Sequence, residues 1–143
     1  LFTNYLTDLS DLSDLSDLSD FLAFFVVSLF LVVVFVVVYT NVTRHSEFKL
    51  IKENSAAAAV AFSGSMIGFA LPLASAMISS STVLEMVVWG GVALIVQIVV
   101  YLLVRLPMPK VSERIENNEI AAGLWLGGAS LTAGILNAAS MTA

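Results

Sequence analysis

The chain has 143 residues, enough for one compact domain, with 59% hydrophobic and only 12% charged residues and a formal net charge of −5. Soluble domains are about half apolar and about a quarter charged, so the excess is large. The absence of cysteine excludes disulfides, thiolate metal sites and cysteine nucleophiles, and no basic patch with interleaved aromatics points to nucleic acid.

The opening segment, residues 1–20, holds five aspartates and no base. Leu9, Leu12, Leu15 and Leu18 are each followed by serine and aspartate. A period of three falls about 60° short of a full helical turn at each step, so the leucines wind around a helix instead of forming one face. The expectation is an acidic tail outside the membrane, solvated or interfacial, with a short amphipathic surface helix as the alternative. Calcium binding is a poor fit, because an EF-hand loop needs closer acids, a central glycine and a closing glutamate. No basic segment precedes the first apolar block, which therefore does not read as a cleavable signal peptide.

Residues 21–40 carry no charge. At about 1.5 Å per residue they span about 30 Å of hydrocarbon. Valine runs favour strands in water, but in lipid each backbone group must be bonded within its own segment, so a helix is expected. It is apolar on all sides and expected to face lipid or a partner. The loop 41–54 holds Arg44, Lys49, Lys52, Glu47, Glu53 and the only histidine, His45, which is expected to be solvated.

The second span, 55–78, is dense in small residues. Ala57, Ala61, Gly64 and Gly68 recur at helical spacing and form one face suited to close helix packing. Pro72 cannot donate to the Gly68 carbonyl, so a kink is expected there. The third span, 86–104, places Gln97 near its middle; a short surface helix is expected over 111–118; the fourth span, 120–141, again carries packing glycines, Gly123 and Gly127. Trp89, Trp125, Tyr39 and Tyr101 fit interfacial anchors.

All six bases lie in the first and third loops. The positive-inside rule then puts those loops in the cytoplasm and both termini outside. Sliding the chain by 64 residues superposes Ile51 on Ile115, Asn54 on Asn118, Ala57 on Ala121, Ala58 on Ala122, Gly64 on Gly128, Ala74 on Ala138 and Met77 on Met141. The fold expected is an all-α membrane protein of four transmembrane helices arranged as two parallel-repeat hairpins.

The strings Glu47–Ile51 and Asn54–Ala58, Gly68–Ala76 (GFALPLASA), Trp89-Gly90 with Gln97, Ser112–Glu116 and Gly134–Met141, containing LNAASM, carry a family resemblance. Over residues 21–142 the chain resembles the YjfL-like bacterial inner-membrane proteins, a domain-of-unknown-function family. The resemblance implies a bacterial inner-membrane location and brings no established activity. The leucine-serine-aspartate tail departs from the family pattern.

No nucleophile–base arrangement, metal cluster or phosphate loop is visible, so neither an enzyme nor a cofactor is expected. Glu85 opens the third helix, as a dipole-favoured N-terminal acid or an outer-mouth cation site. Gln97 and Asn137 are costly in hydrocarbon unless bonded; they either tie helices together or line a polar path, with Asn137 expected to reach the carbonyl that Pro72 frees. The leading expectation for function is a structural or scaffolding subunit, in contact with lipid and with itself or a membrane-protein partner. An oligomeric small channel or transporter is the alternative.

Overall fold

The computed structural model describes the backbone of residues 2–142 and the side chains of residues 14–142. The described residues form six helices: α1 Phe2–Val42, α2 Glu47–Lys52, α3 Ala56–Ser79, α4 Val83–Val104, α5 Val111–Glu116 and α6 Ile120–Met141. Four are long and apolar enough to cross a membrane, taking α1 from Asp14.

The first helix is longer than expected, because it takes in the acidic segment as well as the apolar block. Extending an existing helix costs far less than nucleating one, and leucine is a good helix former. Leu15 and Leu18 are both exposed, as winding leucines must be. The expectations for residues 8–12 lie outside the described side chains.

Nor is α1 uniformly lipid-facing. Ser28, Phe35 and Tyr39 are buried along one stripe, and the Phe35 ring stacks on Phe69 of α3 at 4.6 Å between centroids. Leu31 on the same stripe meets Gly90 of α4.

The tightest contact in the bundle is between α3 and α6, which run side by side in the same direction. A Cβ on Gly64 would fall 2.5 Å from the Cα of Gly127, and one on Gly127 would fall 2.7 Å from the Val60 carbonyl oxygen. Gly123 lies against Ala57 in the same way, and Gly134 against Gly68. At that separation backbone meets backbone, and dispersion together with polar contacts holds the pair in lipid. One such contact is the Ser75 hydroxyl donating to the Ala138 carbonyl oxygen at 3.0 Å.

The short helices α2 and α5 precede α3 and α6, and both end in the same motif. Asn54 and Asn118 adopt left-handed φ of 64° and 57°. Asn54 N donates to Ile51 O and Ser55 N to Leu50 O, while Asn118 N donates to Ile115 O and Glu119 N to Arg114 O. This is a Schellman cap, with asparagine in the position glycine usually takes. The Asn118 side chain also accepts from the Ala57 backbone N–H at 3.0 Å, so it caps the first turn of α3 from across the interface. Asn118→Ala is expected to cost about 1–3 kcal/mol, through lost capping and an unfavourable alanine φ, read as a lower melting temperature in detergent.

Candidate functional site: a buried polar seam

Polar side chains from all four spanning helices meet inside the bundle. Tyr39 of α1 and Ser65 of α3 share a hydrogen bond of 2.8 Å, and Ser65 Oγ lies 3.2 Å from Ser130 Oγ of α6. Gln97 of α4 donates its Nε2 to the Ser130 carbonyl at 3.0 Å. Tyr39, Ser65, Gln97 and Ser130 are all essentially sealed from the bundle surface. Helical spacing explains the α4 contribution: Met86, Gly90, Ala93, Gln97 and Tyr101 form one buried stripe.

A second polar cluster closes the end of the bundle that carries the bases. Tyr101 OH is 2.6 Å from Ser112 Oγ of α5, and Ser112 Oγ is 2.9 Å from His45 Nδ1. His45 Nε2 lies 3.4 Å from Glu47 Oε1 without hydrogen-bond alignment, while Thr43 donates its hydroxyl to that carboxyl oxygen. The rings of Tyr101 and Tyr39 meet edge to face at 6.2 Å, so the two clusters abut. Burial pushes the His45 imidazole down to about 4 and pushes the Glu47 carboxyl up, the latter offset in part by the Thr43 hydrogen bond.

This geometry corrects several expectations. His45 is not solvated: it is 2% exposed, because α5 folds back over the loop that carries it. Tyr39 and Tyr101 are not interfacial anchors; both are buried and hydrogen-bonded, whereas Trp89 and Trp125 are exposed. Ser112, His45 and Glu47 form a nucleophile–base–acid sequence that was not visible in the chain. Ser112 is, however, mostly buried and already shared between His45 and Tyr101.

Asn137 makes no hydrogen bond through its Nδ2, which is buried. At the Gly68 carbonyl freed by Pro72 stands Gly134 instead, whose missing side chain leaves that oxygen its space. Pro72 itself is buried within an unbroken α3. Gly64, Gly68, Gly123 and Gly127 all sit in the α3–α6 contact. Glu85 is exposed and accepts from the Ser81 N–H, while its own N–H donates to Thr82 Oγ1. That is a reciprocal cap on α4, which accounts for the acid without a cation. Among the described residues no cluster of three or more metal-ligating side chains occurs.

Among the described residues, four buried side-chain polar atoms have no protein hydrogen-bond partner: His45 Nε2, Glu47 Oε2, Gln97 Oε1 and Asn137 Nδ2. Each costs roughly 1–3 kcal/mol if left dry. They are therefore the places where a proton, water or a small polar solute is accommodated most cheaply.

The model of the Domain of Unknown Function (DUF350) family matches residues 12–141. The chain belongs to this family. The match begins at residue 12, so the family pattern takes in part of the acidic segment that the resemblance had left outside it. Two relatives, each named UPF0719 inner membrane protein YjfL, from Escherichia coli strain K12 and from Escherichia coli O157:H7, are 44% identical over 120 residues. The alignment covers 84% of this chain and 91% of each relative. No solved structure matches. With its four apolar helices, the chain is an integral inner-membrane protein of a family without an assigned activity.

Proposed function

We propose that the chain is a small membrane transport protein, whose buried seam gives protons or a small polar solute a route through the bundle. The observation that carries this reading is the convergence of Tyr39, Ser65, Gln97, Tyr101 and Ser130 from four spanning helices onto one buried line. Burying polar groups in lipid is expensive, and Tyr39, Gln97 and Tyr101 come from α1 and α4, outside the glycine contact that packs α3 on α6. At the far end of the bundle Ser79, Ser80 and Glu85 line a separate opening of about 200 Å³, and a route from the seam must pass the buried Leu73, Met86 and Ala93 to reach it. Catalysis is not part of the reading, since the Ser112 hydroxyl is engaged on both sides. Neither is a resident cofactor.

The topology belonging to this reading has both termini outside and the basic loops in the cytoplasm, supported by six bases in those two loops. It also has two parallel hairpin repeats. Their support is the recurrence of short helix, asparagine cap and spanning helix at a spacing of 64 residues, and the like direction of α3 and α6.

A flux assay tests the function. Liposomes containing the protein are expected to dissipate an imposed proton or solute gradient faster than empty ones. Gln97→Leu should abolish that difference while changing thermal stability by no more than about 1 kcal/mol. Liposomes with and without protein leaking alike, across proton, alkali-cation and small-solute gradients, would overturn the proposal.

A second reading, a scaffolding subunit that binds itself or a membrane-protein partner, draws support from α1. Apart from its one packed stripe this helix presents Phe21, Phe25, Phe30, Val33 and Val37 outward. Copurification and cross-linking through α1 test it, and a strictly monomeric, partnerless protein would count against it.

A further inference from the structure

We infer that the basic end of the bundle holds a binding site for a phosphate-type anion, built on Arg44, Arg105 and Lys110. These three cations line one open cavity of about 370 Å³ together with Ser112, Glu113 and Glu116. A chain this poor in charge has placed half of its six bases around a single hollow.

The cations are not spent on internal partners. Among the described residues, the ion pairs within 4.0 Å are His45–Glu47 and Arg114–Glu119. Glu113 and Glu116 share the cavity with the three bases, yet neither pairs with them. A ligand carrying negative charge therefore finds donors still available.

The two arginines are also held in place by the same buried residue. Tyr101 OH accepts from the Arg44 backbone N–H at 3.2 Å, and the Arg105 guanidinium sits 6.0 Å above the Tyr101 ring. Tyr101 OH in turn bonds Ser112, another residue of the cavity lining. A guanidinium held over an aromatic ring has lost part of its freedom before any ligand arrives, which lowers the cost of binding. Guanidinium groups match phosphate oxygens with paired, charge-assisted hydrogen bonds, and lysine adds a point charge.

Position along the chain supplies the remaining argument. Arg44 follows the last residues of α1, and Arg105 directly follows α4, so both stand where spanning helices leave the hydrocarbon. Headgroup phosphates lie at that level, and basic pockets between spanning helices are suited to them. A free phosphate arriving from water would find the same donors. The two sources share one chemistry, and the site stands whether or not the bundle transports anything.

The test uses the full chain in detergent. Native mass spectrometry reads the retention of phosphatidylglycerol against phosphatidylcholine. Thermal unfolding reads inorganic phosphate against chloride at matched ionic strength. Preferential retention of phosphatidylglycerol identifies a headgroup site, a saturable shift with phosphate identifies a soluble ligand, and either result supports the inference. Arg105→Gln and Lys110→Met should each weaken binding about tenfold, the worth of one charge-assisted hydrogen bond. Lys110 is exposed and makes no side-chain cap, so its variant keeps the fold if Arg105→Gln does not. Lys52→Gln, which removes a base outside the cavity, should leave binding unchanged. Absence of both signals overturns the site, as does a Lys52→Gln effect equal to that of Lys110→Met, which would mark diffuse surface charge.

Discussion

Gly134→Ala is expected to destabilise the protein by about 2–4 kcal/mol, whereas Gly128→Ala, six residues earlier on the same helix, should stay within about 0.5 kcal/mol of wild type. The two glycines are chemically identical, and helix propensity alone would favour alanine at both. What separates them is the neighbour. A methyl at Gly128 meets nothing within 4 Å, but one at Gly134 would fall 2.5 Å from the Cα of Gly68. Neither backbone can give way locally, because each is locked into its own helix, so α3 and α6 would have to move apart. That separation would also pull at the Ser75–Ala138 bond and at the line from Ser65 to Ser130. Thermal unfolding of the two variants in the same detergent decides the matter. Equal melting temperatures would mean that the α3–α6 approach is not what holds the bundle.

Much of this architecture can be read in the chain itself, for a physical reason. An uncharged stretch of about twenty residues can satisfy its backbone in lipid only as a helix, so all four spans follow from local composition. The glycine spacing marks the packing face of α3 equally directly. Gly134 is harder to see, because its importance depends on which α6 residue lands opposite the carbonyl that Pro72 frees. The one-turn neighbourhood suggested an amide, Asn137, and the helix supplied an absence of side chain. Tyr101 was within reach of the same logic, since it lies four residues from Gln97 on one helical face. His45 and Glu47 were not. They sit in a charged loop whose burial depends on α5 folding back from more than sixty residues away, and no local pattern encodes that.

Substituting His45 and Glu47 in turn should shift the protein's response to acid in opposite directions. His45 is neutral when buried: its pKa falls from 6.5 to about 4, the cause being desolvation. Between those values the unfolded chain binds a proton that the folded chain refuses. The stability contributed by His45 is therefore full above about 6.5 and is lost as the pH falls through 4, a loss on the order of 3 kcal/mol. Glu47 works the other way. Burial raises its pKa above the ordinary 4.5, so the folded chain keeps a proton that the unfolded chain releases. Its contribution is full below 4.5 and declines as the pH rises through the folded value. In the wild type the two slopes oppose each other, and acidification from neutrality produces a muted loss. Glu47→Gln removes the opposing slope while leaving an amide for Thr43, so the melting temperature should fall more steeply toward pH 4. His45→Gln leaves only the Glu47 slope, and on this account the melting temperature changes relative to wild type in the stabilising direction as acid is added. The acidic residues elsewhere are common to all three proteins and cancel in the comparison. Three parallel curves would show that the buried pair does not couple proton binding to the folded state; diverging curves give the seam a proton-binding group at its basic end, which a route for protons requires.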